Sequence, residues 1–142
     1  MTSSAGPQSH RIALAAVAGL LLALTGCRSQ GSMDHGTVFA FGTATIRVKA
    51  GQTFSLHKKL AVVPGTDWQV VAPRPDAAVV TVVGTDRIRP DSGASGDGGE
   101  LYVVFHAGAK GSTQLVLENC LDCTPGLKQI YQAHDTYRIE VG

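Results

Sequence analysis

The segment Val79-Val80-Thr81-Val82-Val83 decides the fold class, because β-branched residues pack well on a pleated sheet and are poor helix formers. A second apolar run of the same character, Leu101-Tyr102-Val103-Val104-Phe105-His106, follows further along the chain. Four more segments favour strands, most of them with the two-residue alternation of a half-buried strand. They are Thr45–Lys49, Gln52–His57, Gln114–Glu118 and Thr136–Val141.

No segment after Cys27 has apolar residues at helical spacing with suitable caps. Short strands separated by turns of Gly, Pro and Asp are typical of an all-β sandwich or small barrel. We interpret the chain as a β-sandwich of two packed antiparallel sheets. The residues expected to face inward are Ile46, Val48, Phe54, Leu56, Leu115, Leu117, Tyr137 and Ile139.

The N-terminal residues have the organisation of an export signal. Met1 to Arg11 is polar with one cation, and Ile12 to Leu24 is an unbroken apolar run that is short for a membrane span. The next residues, Leu24-Thr25-Gly26-Cys27, resemble the bacterial lipobox, in which the cysteine is acylated and becomes the new N-terminus. An ordinary signal peptide with a nearby cysteine is the alternative.

This interpretation divides the chain into a lipoprotein signal peptide (1–26), a lipidated flexible tether (27–37) and a β-sandwich domain (38–142). Two or more acyl chains on Cys27 would hold the exported protein at a bacterial cell membrane or envelope. Cleavage removes only Arg11 among the charged residues, so the formal net charge falls from +1 to zero. A neutral domain offers no electrostatic basis for binding nucleic acid.

Three connections between the predicted strands are long enough to be functional loops. They are Lys58–Asp67, Ile88–Gly99 and Asn119–Gln132. In a sandwich, such loops can gather at one end, as antibody loops do. We therefore expect these three connections to form one surface.

Several elements of the chain, at matching spacing, resemble the chagasin-like inhibitors of papain-family cysteine peptidases. Gly65-Thr66-Asp67-Trp68 keeps the Gly and Trp that follow the family's first loop, and Gly96-Asp97-Gly98-Gly99 matches its second-loop Gly-x-Gly-Gly element. Phe105-His106-Ala107 matches the strand end that comes next. The remaining matched positions are Gly111, Leu115 and Leu117.

The resemblance implies an immunoglobulin-like sandwich whose three loops enter a peptidase cleft, and a reversible inhibitor that is not an enzyme and needs no cofactor or metal. The partner it implies is a papain-like cysteine peptidase. The inhibitory-loop residues it implies are Val63, Pro64, Gly65, Thr66, Trp68, Gly96, Asp97, Gly98 and Gly99. Glycines there would allow close backbone approach. On this basis Gly98→Arg should abolish binding and leave the fold intact.

The chain departs from the family pattern at two loops. Ala61-Val62-Val63-Pro64 replaces the family's Asn-Pro-Thr-Thr, and Leu121-Asp122-Cys123 replaces its Arg-Pro-Trp. Val63 and Pro64 would then fill the cleft by shape and apolar contact. Losing a few contacts worth about 1–2 kcal/mol each predicts an affinity roughly one to three orders of magnitude below that of the family.

Structural interpretations compete with these functional ones. Pro64-Gly65 also suits a type II turn, and Trp68 also suits a core or loop-supporting indole. The glycine cluster also fits a solvent loop, and it lacks the context of a phosphate-binding loop.

Cys120-Leu121-Asp122-Cys123 has three possible chemistries. In an exported protein a local disulfide between Cys120 and Cys123 is favoured. A redox dithiol needs a helix N-terminus, and a zinc site needs two more ligands, for which His106 and His134 are nearest in sequence. His134-Asp135 resembles half of a catalytic dyad, without a nucleophile placed to complete it.

The leading hypothesis is an envelope-anchored, non-enzymatic inhibitor of cysteine peptidases. One alternative is a non-inhibitory structural or adhesion sandwich of the envelope. The other is a thiol-redox or metal enzyme at Cys120 and Cys123.

Overall fold

The computed structural model of the chain describes residues 33–61, 66–90, 96–121 and 133–142. All of these residues belong to one compact unit, residues 31–142. A search of these residues for a helix long and apolar enough to cross a membrane finds none.

Within the described ranges, eight strands form two four-stranded sheets, which confirms the predicted all-β sandwich. Sheet I has the strand order β1-β3-β6-β5, and sheet II has the order β2-β8-β7-β4. The strands are β1 (Thr37–Ala40), β2 (Thr45–Val48), β3 (Thr53–Ala61), β4 (Thr66–Val71), β5 (Val80–Ile88), β6 (Asp97–Ala107), β7 (Gly111–Leu121) and β8 (Ala133–Val141).

The sheets are mixed, which corrects the expectation of purely antiparallel pairing. β1 pairs with β3 in parallel, and β2 pairs with β8 in parallel; the other neighbours are antiparallel. Two β-turns explain the parallel pairing of β1 with β3, because each reverses the chain and sends it across to the opposite sheet: Thr43 N–H donates to the Ala40 carbonyl, and Gln52 N–H to that of Lys49. Strands separated by two reversals run in the same direction.

The core lies between the sheets, and all eight residues predicted to face inward belong to it. Phe54 stacks on Phe105 with ring centroids 5.3 Å apart, and Phe39 meets Phe54 edge-on at 6.3 Å. The two-residue period is therefore a sound guide to the inner face of each strand. Two strands were not predicted: β1 is a short edge strand, and β4 begins inside a predicted loop.

Residues 33–36, the end of the predicted tether, pack on the outer face of sheet I. The His35 ring stacks on Tyr102 with centroids 3.7 Å apart, and its Nε2 lies 2.8 Å from Asp86 Oδ2. The methyl end of Met33 lies against Gly84 on β5. Val104, opposite Gly84 in the register, is fully buried although it is not part of the core cluster.

Candidate functional site

The register of sheet I brings the borders of two predicted loops together. The last residue of β3, Ala61, lies opposite the first residue of β6, Asp97. Ile88, which ends β5, lies opposite Glu100 near the start of β6. The connection that follows β3 and the connection between β5 and β6 therefore leave from the same end of this sheet.

Sheet II places the border of the third predicted loop at its corresponding end. Leu121, which ends β7, lies opposite Thr66 at the start of β4, and Ala133 at the start of β8 lies opposite Asn119. Since only residues 62–65 separate β3 from β4, these ends of the two sheets adjoin. We call this part of the sandwich, where β3, β5 and β7 finish, the loop end.

An aromatic cluster lies inside the loop end. Trp68 is 7% exposed on β4, and its ring meets that of Phe41 edge-on with centroids 5.1 Å apart. The ammonium of Lys58 lies 5.2 Å from the Phe41 ring centroid and 5.1 Å from that of Trp68, within cation–π range. Trp68 is thus part of the core at the loop end. This agrees with the structural interpretation of Trp68 as a core or loop-supporting indole.

The glycines of residues 96–99 differ in what surrounds them. Gly96 has φ +97° and open space around its Cα, so only its backbone conformation favours glycine. Gly99 has φ +83°, and a Cβ there would overlap the carbonyl oxygen of Ile88. Asp97 begins β6, and its Oδ1 accepts the Gly99 N–H at 2.9 Å.

The close packing around Gly98 contradicts the expectation that arginine at this position would leave the fold intact. A Cβ at Gly98 would lie 2.7 Å from the Ala61 carbonyl oxygen and 2.9 Å from Leu60 Cβ. Both contacts are with the adjacent strand β3, so even the smallest side chain would displace the end of that strand. The close approach that glycine allows here is between two strands of the same chain.

An ion pair links the sheets at the loop end. The Arg87 guanidinium on β5 pairs with Asp67 Oδ1 on β4, and the same oxygen accepts the Trp68 N–H at 2.7 Å. Arg87 comes immediately before the second predicted loop, and Asp67 is the last residue of the first. The pair was not predicted, because nothing in the local sequence joins two residues on different sheets.

Other predicted site residues lie wholly or partly outside the described residues. Val63, Pro64, Gly65, Cys27 and Cys123 are outside them, and Thr66 is described only as the first residue of β4. Their roles remain predictions.

Cys120 is buried on β7, and its Sγ lies 3.6 Å from the Asp67 carbonyl oxygen. The bridge to Cys123 stays a prediction. Cys120 lies on a strand, which is not the helix N-terminus that a redox dithiol requires. His106 lies on sheet I and His134 on sheet II, where its Nδ1 is 3.7 Å from Glu118 Oε2. Within the described ranges, no three His, Cys, Asp or Glu side chains are placed to hold a metal ion.

Tyr137 supports the turn between β1 and β2 from inside the sandwich. Its hydroxyl accepts the Gly42 N–H at 3.4 Å and lies 3.5 Å from Asp135 Oδ2. Burial is the main cause that raises the pKa of Tyr137 well above its usual value, with a smaller contribution from the Asp135 charge; the Gly42 N–H opposes them.

This raised pKa predicts a loss of stability at alkaline pH. Above about pH 10 the tyrosine ionises in the unfolded chain but stays protonated in the folded one. The unfolded state then binds fewer protons, so the free energy of unfolding falls as pH rises, by up to about 1.4 kcal/mol per pH unit from this group. Urea unfolding between pH 8 and 11 measures it. Tyr137→Phe should flatten the slope; equal slopes in both proteins would contradict the prediction.

Comparison with known proteins finds solved structures of similar fold. No protein-family model matches the chain, and no curated protein sequence matches it. The cysteine protease inhibitor EhICP2 from Entamoeba histolytica has a similar structure, with TM-score 0.54 and 9% identity over 75% of this chain and 94% of that one. Amebosin is similar with TM-score 0.56 and 17% identity, over 75% of this chain and 98% of that one.

PbICP-C, solved in complex with falcipain-2, matches with TM-score 0.43 and 12% identity, over 75% of this chain and 98% of that one. The similarity to EhICP2 and amebosin is one of fold, and it confirms the sandwich that the chagasin-like resemblance implied.

Proposed function

We propose that the domain is a reversible, non-enzymatic inhibitor of papain-family cysteine peptidases, binding through the three loops of the loop end. The observation that carries the proposal is the convergence of the borders of all three predicted loops at one end of the sandwich. A fold shared with EhICP2, described as a cysteine protease inhibitor, supports it. Gly96, Gly98 and Gly99, which the resemblance assigns to the second loop, lie at this end.

The loop end has the rigidity that such an inhibitor needs. The ion pair between Arg87 and Asp67 joins the sheets, and Gly98 and Gly99 hold β6 tightly against β3 and β5. Fixed loop borders reduce the conformational entropy that binding would cost, which is how rigid binders gain affinity. The loops would present backbone to the peptidase without placing a scissile bond for attack.

Titration of papain with the purified chain tests the proposal. We expect reversible inhibition at micromolar concentration or below, with the chain uncleaved after prolonged incubation. Val63→Asp places a charge at the predicted centre of the apolar contact, and it should weaken inhibition at least tenfold, or by about 1.4 kcal/mol. The matched control is Ala109→Asp, an exposed position in the β6–β7 turn at the opposite end, which should change nothing.

If a panel of papain-family enzymes shows no inhibition at micromolar chain, the proposal fails. The non-inhibitory structural or adhesion sandwich then becomes the better explanation. Equal loss of inhibition in Val63→Asp and Ala109→Asp would instead reject the loop end as the binding surface.

We further propose that Cys27 is acylated and anchors the chain to a bacterial cell membrane or envelope, on the support of the lipobox-like Leu24-Thr25-Gly26-Cys27. Labelled palmitate should be incorporated into the wild-type chain and into Cys123→Ala, whereas Cys27→Ala should take up none. Label in Cys27→Ala, or none in the wild type, would exclude the anchor.

A further inference from the structure

Among the residues that the structure describes, none covers the side of the sandwich bordered by β4 and β5. These are the edge strands of sheets II and I respectively, and a cleft of about 470 Å³ lies between them. Trp68, Val70, Val82 and Val103 supply its apolar surfaces. The other lining residues are Asp67, Gln69, Arg74, Thr85 and Arg87. The cleft runs along the flank of the sandwich, from the loop end towards the connection that follows β4.

The exposed apolar surface of the domain is concentrated on the strand that borders this cleft. Of the five large apolar side chains that are exposed among the described residues, three lie on β5. They are Val82 at 42%, Val83 at 53% and Ile88 at 43% exposure. Proteins usually protect a free edge with charge or with a covering element, so an uncovered apolar edge is a template for pairing with another chain.

The register of β5 indicates which residues of this edge could pair with a strand from another protein. The register between β5 and β6 shifts between Val82 and Gly84, which is a β-bulge. A bulge interrupts regular pairing, so the regular part of the edge is residues 84–88. The inward side chains of a strand added there would point into the cleft, beside Thr85 and Arg87, which already line it.

The charged residues that line the cleft indicate the charge of a partner that would bind there. At the loop end, Arg87 is balanced by Asp67. At the other end, Arg74 lies just beyond β4, is exposed, and makes no ion pair with any residue in the described part of the chain. The lining therefore carries two cations and one anion, and the unbalanced charge is that of Arg74.

We propose that this cleft binds an extended, acidic segment of a partner protein, which adds as a strand to residues 84–88 of β5. Its apolar side chains would cover Val82 and Val70, and its carboxylate would meet Arg74. A row of unpaired backbone donors and acceptors favours another peptide backbone over a small molecule. The site lies on the flank and adjoins the loop end at Asp67, Trp68 and Arg87.

Three labelled peptides test the inference against the full chain, by fluorescence anisotropy and by NMR mapping of amide shifts. Each alternates valine and threonine; the first ends in two glutamates, the second in two lysines, and the third is the acidic peptide with N-methylated backbone. The acidic peptide should bind at least tenfold tighter than the basic one, and N-methylation should abolish binding. Arg74→Glu should reverse the preference for charge.

Two matched valines on opposite edges of sheet I locate the site. Val82→Asp on β5 should weaken binding of the acidic peptide at least tenfold, whereas Val38→Asp on β1, where Val38 is 48% exposed, should leave it unchanged. Equal binding of the acidic and basic peptides, or amide shifts away from β4 and β5, would overturn the proposal. So would a dimer of the chain that Val82→Asp dissociates, because a second copy would then occupy the edge.

Discussion

Replacing Gly99 by alanine should lower the free energy of unfolding by about 2–5 kcal/mol. Two costs add at this position: a left-handed backbone, worth about 1–2 kcal/mol for a residue with a Cβ, and an overlap that forces a backbone shift, worth about 1–3 kcal/mol. The Cβ would meet the carbonyl oxygen of Ile88, the last residue of β5. Chemical denaturation measures the stability.

Gly96→Ala is the matched control, because Gly96 also has positive φ but no atom near its absent Cβ. It should cost only about 1–2 kcal/mol, for the backbone conformation alone. The difference between the two variants therefore isolates the close contact with Ile88. If the two variants are equally stable, the packing of β6 against β5 at the loop end does not depend on this glycine.

The Gly99 variant also bears on the proposed inhibition. Displacing the Ile88 carbonyl moves the end of β5, from which the second predicted loop leaves. Papain binding should therefore weaken in Gly99→Ala more than in Gly96→Ala, even at a temperature where both remain folded. Unchanged binding would show that the second loop contributes little to the peptidase contact.

Phe54→Ala should lower the free energy of unfolding by about 3–5 kcal/mol, the usual cost of removing a buried aromatic side chain. Phe54 is fully buried on β3 and stacks on Phe105 of β6. Removing the ring leaves a cavity in the core between the sheets. The closely packed residues around it cannot move far enough to fill it. For a domain with a total stability of about 5–15 kcal/mol, this change removes a large share.

Phe39→Ala is the matched control on the neighbouring edge strand. Phe39 is half-buried and meets Phe54 edge-on, so its loss should cost about 1–2 kcal/mol. Thermal or urea unfolding of both variants gives the comparison. Similar losses at the two positions would place the centre of the core elsewhere in the sandwich.

The loop end shows how far sequence reasoning reaches into the candidate site. The glycines at 98 and 99 were identified from a spacing, but their contacts with Ala61 and Ile88 join residues far apart in the sequence. The pairing of Asp67 with Arg87 has the same character. Such contacts depend on the register between strands, which no local pattern specifies, and so a glycine interpreted as facing a partner instead packs against its own chain.

For a related reason, local sequence patterns did not predict the short edge strand β1 or the packing of residues 33–36 on sheet I. β1 has four residues, too few to establish an alternation, and the packing of His35 depends on Tyr102 and Asp86, which lie on other strands. The polar segment with Gly and Ser that was predicted as a flexible tether has the same composition whether or not it packs on the folded domain.

What the sequence alone determined is the all-β class, the location of most strands and the identity of the inward residues from Ile46 to Ile139. The physical reason is that burying one face of a strand leaves a two-residue period that can be read locally. Only the tertiary structure decided the two parallel edges, the convergence of the loop borders and the open cleft between β4 and β5. Those features arise from strand direction and from the order of strands in each sheet, because residues distant in the sequence must first pair before the edges and ends of the sandwich exist.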